Sequence, residues 1–202
     1  MDAWQSPLTI LASFVAYSVL HSVLAGHRFK AWAQARMGTT AYERYYRLLF
    51  NLIGVLTLLP ILWLVVALPD WPLYSIPNPW RWLSYLGQLA GLVLLAASLR
   101  VTGALDFLGL QQLADEGGAA PELHIRGPYA WMRHPLYTGS MLVLWLFPVM
   151  TLNRLALVVS ISLYFWLGAY YEERKLEAWF GATYAAYKAR TPMFIPWRAP
   201  QD

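Results

Sequence analysis

The sequence predicts an all-α integral membrane protein with about five transmembrane helices. Apolar residues make up 58% of its 202 residues and charged residues only 13%, whereas soluble proteins contain about 25% charged residues. Five apolar runs are spread along the chain and leave no room for a separate soluble domain, so residues 1–202 are expected to form a single membrane domain. The sequence contains no cysteine, which excludes disulfides, thiolate metal sites and cysteine nucleophiles.

Three of the apolar runs lie within residues 1–101, and each is long enough to cross a bilayer. Leu8–Ala25 contains His21 as its only ionisable group, and Leu48–Leu68 contains none. Trp82–Leu99 is bounded by arginines and begins with a cluster of aromatic residues typical of a membrane interface. Because about 20 residues are needed to cross about 30 Å of hydrocarbon, we expect three N-terminal transmembrane helices.

Residues 102–202 contain two further runs, which predict a C-terminal helical hairpin. Leu136–Leu152 and Leu155–Tyr171 are separated only by Asn153 and Arg154, a connection that favours adjacent antiparallel helices. A proline inside the first run is tolerated when neighbouring helices satisfy the carbonyl that it leaves free. Apolar residues at helical spacing then predict that the last helix continues over Glu172–Arg190.

The distribution of lysine and arginine predicts the orientation of the chain. Thirteen of the fifteen follow the first, third or fifth run, and only Arg81 and Arg154 lie on the other side. Since basic residues favour the cytoplasmic face, we expect the N-terminus outside, the C-terminus in the cytoplasm, and a cytoplasmic segment over 101–135 that includes the Gly/Pro-rich Asp115–Glu122. The basic residues form no stripe, so no nucleic-acid partner is expected. No helix-pairing motif was singled out, and the oligomeric state is not predicted.

The stretch RGPYAWMRHPLYTG, residues 126–139, places polar and rigid residues directly before the fourth run. Pro135 suits the first turn of a helix and disfavours helical dihedrals at the residue before it. His134 is therefore expected at the start of the fourth helix, with Tyr137 on the neighbouring face of the first turn. Such a position, at the N-terminal end of a helix dipole, favours an anionic ligand group.

The hairpin returns Glu172 and Glu173 to the same side as His134, near Arg133. Two adjacent acids at the end of an apolar helix are costly unless they are solvated or paired. The two acids together with His134 and Arg133 therefore predict a ligand site. A purely structural alternative remains open, in which the acids pair with nearby basic residues at headgroup level and the tyrosine and proline serve ordinary interfacial packing.

A second set of polar residues lies in and after the first three runs, at the same expected level. It contains His21, the pair Arg47 and Asn51 spaced four residues apart, and Gln111 in the sequence DFLGLQQL. These four are the candidates for contact with an acceptor substrate. The alternative is that each is a satisfied residue of helix packing.

The motifs GPY, RHPxY, EE, FGxxYxxY and TPxxIP occur in this order over residues 105–197, and the chain resembles the isoprenylcysteine carboxyl methyltransferase superfamily. These are integral-membrane enzymes that use S-adenosylmethionine, and phospholipid methyltransferases are related to them. The resemblance implies that residues 102–202 form the methyltransferase core. It implies a cofactor-binding set comprising Leu123, His124, Tyr129, His134, Pro135, Leu136, Tyr137 and Glu172. Arg133 and Glu173 match the motif and are the catalytic candidates; no metal is implied.

Within that superfamily, HSVLAGHRFKAW, DFLGLQQL and RHPLYTGSMLVLWLFPVMT look more like the bacterial methanethiol S-methyltransferase branch. In the prenylcysteine enzymes an arginine about one turn before the glutamate helps to hold the substrate carboxylate, whereas this chain has Gly168 near that position. The resemblance therefore implies methyl transfer to a small or lipophilic acceptor, most readily a thiol, at the cytoplasmic side of a bacterial inner membrane. For a thiol, Arg133, or His21 with Arg47, is expected to favour the thiolate.

Other functions stay open at this point. They are carboxyl methylation of a prenylcysteine-like substrate, methylation of a phospholipid amine, and a non-enzyme role. The non-enzyme alternatives are a denitrification-associated membrane protein without a settled activity and a small transporter whose His/Glu cluster binds a metal ion or a proton.

Overall fold

The structure is a computed structural model that describes residues 4–114 and 122–197. Its helices are α1 (Gln5–Ala25), α2 (His27–Met37), α3 (Thr39–Ala67), α4 (Arg81–Thr102), α5 (Ala104–Leu108), α6 (Gln111–Ala114), α7 (Pro128–Trp131), α8 (Pro135–Trp145), α9 (Leu152–Phe180) and α10 (Ala182–Arg190). Two short strands, β1 (Pro72–Ser75) and β2 (Val149–Thr151), pair in a two-stranded sheet. The architecture is therefore almost wholly helical, as expected.

Four helices are long and apolar enough to cross a membrane: α1, α3, α4 and α9. They contain the first, second, third and fifth predicted runs. Only a minority of the side chains in their apolar stretches are buried, which is the pattern of helices whose outer faces meet lipid rather than water. The chain is thus built as a membrane protein.

The helix expected over Leu136–Leu152 is wrong, because α8 ends at Trp145 after 11 residues. Pro148 has no N–H, and its ring clashes with the carbonyl one turn earlier, which kinks or ends a helix. Here α8 ends before Pro148, whereas α3 continues through Pro60. The chain continues into β2 instead. The side-chain amide of Gln88 donates to the carbonyl of Val143 at 2.9 Å, and Ile76 N–H donates to Pro148 O at 2.8 Å, so backbone groups at the break are satisfied.

The expectation of one helix over Glu172–Arg190 is also corrected. Gly181 has φ of +51° and separates α9 from α10. The two helices thus run as separate segments on either side of a left-handed glycine. The region Asp115–Glu122 lies outside the described residues except for Glu122.

The described residues form two compact units, and the single-domain expectation stays a prediction. Unit one contains residues 4–71, 103–114 and 151–160; unit two contains residues 72–102, 122–150 and 161–197. In unit one, α1 packs against α3, and the Tyr46 hydroxyl donates to the carbonyl of Leu24 at the end of α1. His21 packs between the rings of Tyr17 and Phe50, with centroid distances of 5.6 and 4.4 Å.

Unit one also holds the DFLGLQQL segment against α3. Arg47 Nη1 lies 2.8 Å from Asp106 Oδ2, and the Asn51 amide donates to the carbonyl of Phe107 at 3.0 Å. Gln112 donates to the other oxygen of Asp106 at 2.5 Å. Gly109, with φ of +83°, lies so close to the backbone of α3 that an added Cβ would be 2.5 Å from Leu48 N.

In unit two, α4 and α8 pack through glycines. A Cβ added to Gly91 would lie 2.8 Å from the carbonyl oxygen of Gly139, and one added to Gly139 would lie equally close to that of Gly91. A Cβ added to Gly87 would instead meet the side chain of Leu146. Gly87 and Gly91 form a GxxxG spacing that the sequence reasoning overlooked, and it serves contact within the chain. Gly139 closes the RHPLYTG motif, so this contact fixes the helix that begins at His134.

Candidate functional site

The segment leading to α8 turns at Gly127, whose φ is +60°. Glycine adopts this left-handed conformation without a steric penalty. Pro128 then opens α7 in the first turn, where a backbone N–H has no helical partner to lose. The hydroxyl of Tyr187 in α10 donates to the carbonyl oxygen of Tyr129 at 2.6 Å, so the last helix fixes the GPY motif in place.

The C-terminal strap, residues 191–195, runs along the segment that carries His134. The N–H of Arg133 donates to the carbonyl of Pro192 at 2.9 Å, and the N–H of His134 donates to that of Met193 at 3.1 Å. Both residues precede the first helical residue of α8, so their N–H groups need partners outside a helix. The TPxxIP motif supplies these partners.

Thr138, one turn into α8, makes the next contact with the strap. Its hydroxyl lies 3.0 Å from the carbonyl oxygen of Phe194 and 3.2 Å from that of His134. The Phe194 ring lies 5.8 Å from the imidazole of His134. The strap therefore holds both the backbone and the ring of His134, which is only 5% exposed.

Three rings stack beside this segment. The Tyr137 ring lies 5.4 Å from the His134 imidazole and 4.7 Å from the Phe165 ring, with interplanar angles of 6° and 14°. Gly168 faces the end of the stack, where an added Cβ would lie 3.6 Å from the Tyr137 hydroxyl. Gly168, which stands near the position of the substrate-binding arginine in the prenylcysteine enzymes, is therefore next to the phenol of Tyr137.

Glu172 and Glu173 are adjacent in sequence but have different surroundings. The side chain of Glu172 is 50% exposed, and its Oε2 accepts a hydrogen bond from the Tyr137 hydroxyl at 3.1 Å. The same oxygen lies 3.7 Å from His134 Nδ1, which is beyond hydrogen-bond range. Among the described contacts, Glu172 thus keeps an oxygen open to a ligand.

Glu173 is buried in an ion-pair cluster, with a side chain only 5% exposed. Its Oε1 lies 2.7 Å from Arg133 Nε and 3.2 Å from His134 Nε2, and its Oε2 lies 2.9 Å from Lys188 Nζ. Because an ionised carboxylate only accepts hydrogen bonds, a neutral His134 carries its hydrogen on Nε2 and a lone pair on Nδ1. Glu173 therefore sets the tautomer of His134.

The Arg133 guanidinium also binds the C-terminal end of α10. Besides Glu173, it donates from Nη1 to the carbonyls of Lys188, at 3.2 Å, and Thr191. Cations stabilise the last carbonyls of a helix. Hydrogen bonds to Glu177 and Glu173 raise the pKa of Lys188. Lys188 was missed from the sequence, although it lies between the second tyrosine of FGxxYxxY and TPxxIP.

The remaining predicted cofactor residues lie in unit two, close to these groups in the chain. The rings of His124 and Tyr129 are 6.5 Å apart. Burial and the negative charge of Glu172 raise the pKa of Tyr129 to about 12, so its phenol is protonated near neutrality. Pro135 is buried at the start of α8, and Leu123 and Leu136 are half-buried. No ligand contact for Leu123, Pro135 or Leu136 follows from this placement.

The four acceptor candidates lie in unit one, apart in sequence from the unit-two cluster. Arg47 and Asn51 are engaged by the DFLGLQQL segment, His21 lies among aromatic rings, and Gln111 is exposed. The neighbouring Gln112, rather than Gln111, contacts Asp106. Their predicted role in substrate binding stays a prediction. Within residues 4–114 and 122–197, no group of three His, Asp or Glu side chains is arranged to hold a metal ion.

Comparison with known families decides where the chain belongs. The model of the NnrU protein family matches residues 9–197. The chain belongs to this family. The match covers both units and every motif described above, and no solved structure matches this NnrU family member.

Several relatives of this chain are named as enzymes. The chain is 32% identical over 187 residues to methanethiol S-methyltransferase 1 of Bradyrhizobium diazoefficiens, and the match covers 90% of this chain and 64% of that protein. It is 33% identical to methanethiol S-methyltransferase 2 of the same organism, covering 89% and 69%. It is 30% identical to methanethiol S-methyltransferase of Crocosphaera subtropica, covering 89% and 71%. The resemblance to this superfamily, and to its bacterial thiol branch, is confirmed.

Proposed function

We propose that the protein is an integral-membrane methyltransferase that transfers a methyl group from S-adenosylmethionine to a small thiol. The observation that carries this proposal is the half-exposed carboxylate of Glu172, which accepts a hydrogen bond from Tyr137 beside stacked aromatic rings. The similarity to proteins named methanethiol S-methyltransferase supports the same reaction. We further propose that the site faces the cytoplasm of a bacterial inner membrane.

The residues present suit such a cofactor. S-adenosylmethionine bears an ammonium group, ribose hydroxyls and a sulfonium. The open oxygen of Glu172 suits the donors of the first two, since hydrogen bonds to a carboxylate are strong. Aromatic faces attract cations such as a sulfonium. Tyr137 and Tyr129 offer rings near this carboxylate, and the ring of His124 lies 6.5 Å from that of Tyr129. We assign cofactor binding to these four residues.

Bound S-adenosylmethionine supplies an electrophilic methyl group, which forms a bond to the acceptor sulfur as the sulfonium carbon–sulfur bond breaks and leaves a neutral thioether. The protein contributes orientation, which accounts for about 7–11 kcal/mol in well-aligned reactions. The thiolate is the reactive form of a thiol. A neutral His134 presents the lone pair of Nδ1, and we propose that this nitrogen accepts the thiol proton.

We propose that Arg133 and Glu173, the catalytic candidates of the sequence, act as positioning residues. Glu173 is buried, the side chain of Arg133 is only 11% exposed, and Arg133 uses Nε and Nη1 to bind Glu173 and the end of α10. A guanidinium engaged in this way supports the fold around His134. Arg133 therefore affects a bound ligand indirectly, by holding Glu173, His134 and the end of α10 in place.

Calorimetry with S-adenosylhomocysteine on detergent-purified protein tests cofactor binding. Replacing Glu172 with Gln is expected to weaken binding about tenfold or more, because a charge-assisted hydrogen bond contributes about 1.5–3 kcal/mol. Glu177→Gln is the matched control, since Glu177 is an exposed carboxylate of the same helix that pairs with Lys188. Equal affinity of the two variants would overturn the assignment of Glu172.

An acceptor screen with methyl-labelled S-adenosylmethionine tests the substrate class. Methanethiol, a prenylated cysteine analogue and a phospholipid amine are compared at equal concentration. We expect label to move to the thiol and to fall in His134→Asn. Transfer only to the prenylated carboxylate or to the amine would replace the thiol proposal, and transfer to none of the three would overturn the proposed enzyme activity with these acceptors.

A further inference from the structure

The excess positive charge of the chain is concentrated between α1 and the apolar part of α3. Residues 27–47 contain five lysine or arginine residues and one acid, Glu43. Their formal net charge of +4 equals that of the whole chain, so the remaining residues are neutral in sum. Neither the proposed cofactor site nor the proposed reaction uses this charge.

Three of these cations form an exposed surface with aromatic side chains, here called the basic face. Arg28, Trp32 and Arg36 are spaced four residues apart and so lie on one side of α2. Trp32 is 54% exposed, and Arg36 Cζ lies 5.8 Å from its ring. Arg44 in the first turns of α3 lies 5.6 Å from the ring of Tyr45, which is 42% exposed.

The arginines of the basic face are not neutralised by the described part of the protein. Within residues 4–114 and 122–197, no carboxylate lies within 4.0 Å of Arg28, Arg36 or Arg44, whereas Arg47 pairs with Asp106. The one buried residue of α2 is Ala33, on the side that packs against the unit. The charged face is therefore free for an external partner.

The end of α1 and the start of α3 show where the basic face lies relative to the membrane. α1 ends at Ala25, and α3 begins at Thr39 but is free of ionisable residues only from Leu48 onward. Both helices are candidate membrane spans. The hydroxyl of Tyr46 donates to the carbonyl of Leu24, so the polar first turns of α3 are level with the end of α1. α2 thus lies at the membrane boundary.

We propose that the basic face binds the headgroups of anionic phospholipids. Arginine side chains pair with phosphate oxygens, exposed tryptophan and tyrosine favour the interface, and each basic residue near an anionic surface adds attraction. A zwitterionic headgroup carries no net charge to match the three arginines. The partner that fits the charge, the aromatic side chains and the depth together is an anionic lipid surface.

The absence of cysteine from the sequence allows a single probe to test the proposal. A fluorophore is attached at Ala35→Cys, an exposed position of α2, and the protein is reconstituted in phosphatidylcholine vesicles. Quenching by brominated phosphatidylglycerol is compared with quenching by brominated phosphatidylcholine at the same mole fraction. We expect preferential quenching by phosphatidylglycerol, with an apparent affinity about fivefold higher per engaged arginine at low salt, falling as salt rises.

The variant R28Q/R36Q/R44Q is expected to lose this preference. The matched control R174Q/K175Q/R190Q removes the same charge from exposed or half-exposed residues of α9 and α10 and is expected to retain it. Thermal unfolding identifies any variant that fails to fold, and the salt titration of the unsubstituted face then serves as the second measurement. Equal quenching by the two lipids, a preference unchanged by salt, or an equal loss in both variants would overturn the proposal.

Discussion

Gly91 of α4 and Gly139 of α8 face each other so closely that a Cβ on either would lie 2.8 Å from the carbonyl oxygen of the other. Each glycine therefore allows the backbone of the partner helix to approach. Since Gly139 lies about one turn beyond Pro135 and two residues beyond Tyr137, the separation of these helices decides where the start of α8 is placed. Close helix contact and the proposed cofactor site are thus coupled through one short helix.

Gly139→Ala is expected to destabilise the protein by about 1–3 kcal/mol, because a backbone carbonyl cannot move aside as a flexible side chain does. Reversible unfolding in mixed micelles measures the change. Gly168→Ala is the control, since its Cβ would make an ordinary contact at 3.6 Å. Similar stability of the two variants would show that α4 and α8 adjust freely.

The two adjacent acids are expected to respond differently to the same substitution. Glu173→Gln leaves Arg133 and Lys188 without their buried counter-charge and should cost about 3 kcal/mol or more of unfolding free energy. Glu172→Gln, with its half-exposed side chain, should change stability little and affect cofactor binding instead. Unfolding and binding measured on both variants separate positioning from ligand contact. A stable, binding-deficient Glu173→Gln would contradict the positioning role.

Thr138→Val is expected to loosen the C-terminal strap by removing the hydroxyl that contacts the Phe194 carbonyl. A hydrogen bond contributes about 1 kcal/mol net, so amide exchange of His134 should accelerate about fivefold. Hydrogen exchange followed by mass spectrometry measures this, and Thr138→Ser should restore protection by restoring the hydroxyl. If Val and Ser behave alike, the hydroxyl does not hold the strap.

Gly109→Ala is expected to displace the DFLGLQQL segment from α3. Gly103 and Gly109 have nearly the same φ, +80° and +83°, but only Gly109 would place a Cβ against backbone, 2.5 Å from Leu48 N. Gly103→Ala therefore controls for left-handed strain alone. Faster exchange of residues 104–114 is expected in Gly109→Ala beyond that in Gly103→Ala, and equal exchange would leave only the backbone strain as a cause.

Tyr129 is expected to contribute to the loss of stability at alkaline pH. Its pKa rises from 10.0 to about 12 in the folded protein, so the protonated phenol stabilises the folded state below pH 10. This contribution is lost as the pH rises through the folded pKa. Tyr129→Phe should flatten the dependence of unfolding temperature on pH between these values, relative to Tyr74→Phe at an exposed position. An unchanged slope would count against this environment of Tyr129.

The sequence predicted the long helices well because a helix that crosses the hydrocarbon of a membrane needs a long run of apolar residues, and such runs are easy to recognise. Helices α1 and α4 begin within three residues of their apolar runs, whereas α3 begins earlier because its polar first turns precede the run. Hydropathy reports lipid exposure, not backbone conformation, so it did not show that Leu136–Leu152 changes from helix to strand. Pro148 was visible, but its effect depends on partners such as β1 and Gln88, which are distant in sequence.

The residues of the candidate site were easier to predict than their roles. Motif spacing brought His134, Tyr137 and Glu172 into one set, and the structure places them in contact. The resemblance assigned Glu172 to the cofactor and Glu173 to catalysis, but motif spacing could not show that only Glu173 is buried, because burial depends on which side of α9 the partner segments cover. Lys188 and Thr138 were missed for the same reason, since their roles arise from segments that meet only in the fold.

The C-terminal strap also implies an order of assembly. The N–H groups of Arg133 and His134 find their acceptors only in residues that the ribosome adds after α9 and α10 are complete. Until then the start of α8 has unpaired donors, and His134 lacks the wall formed by Phe194. A nascent chain interrupted before residue 191 would therefore contain every residue of the RHPxY and EE motifs without the support that orients them.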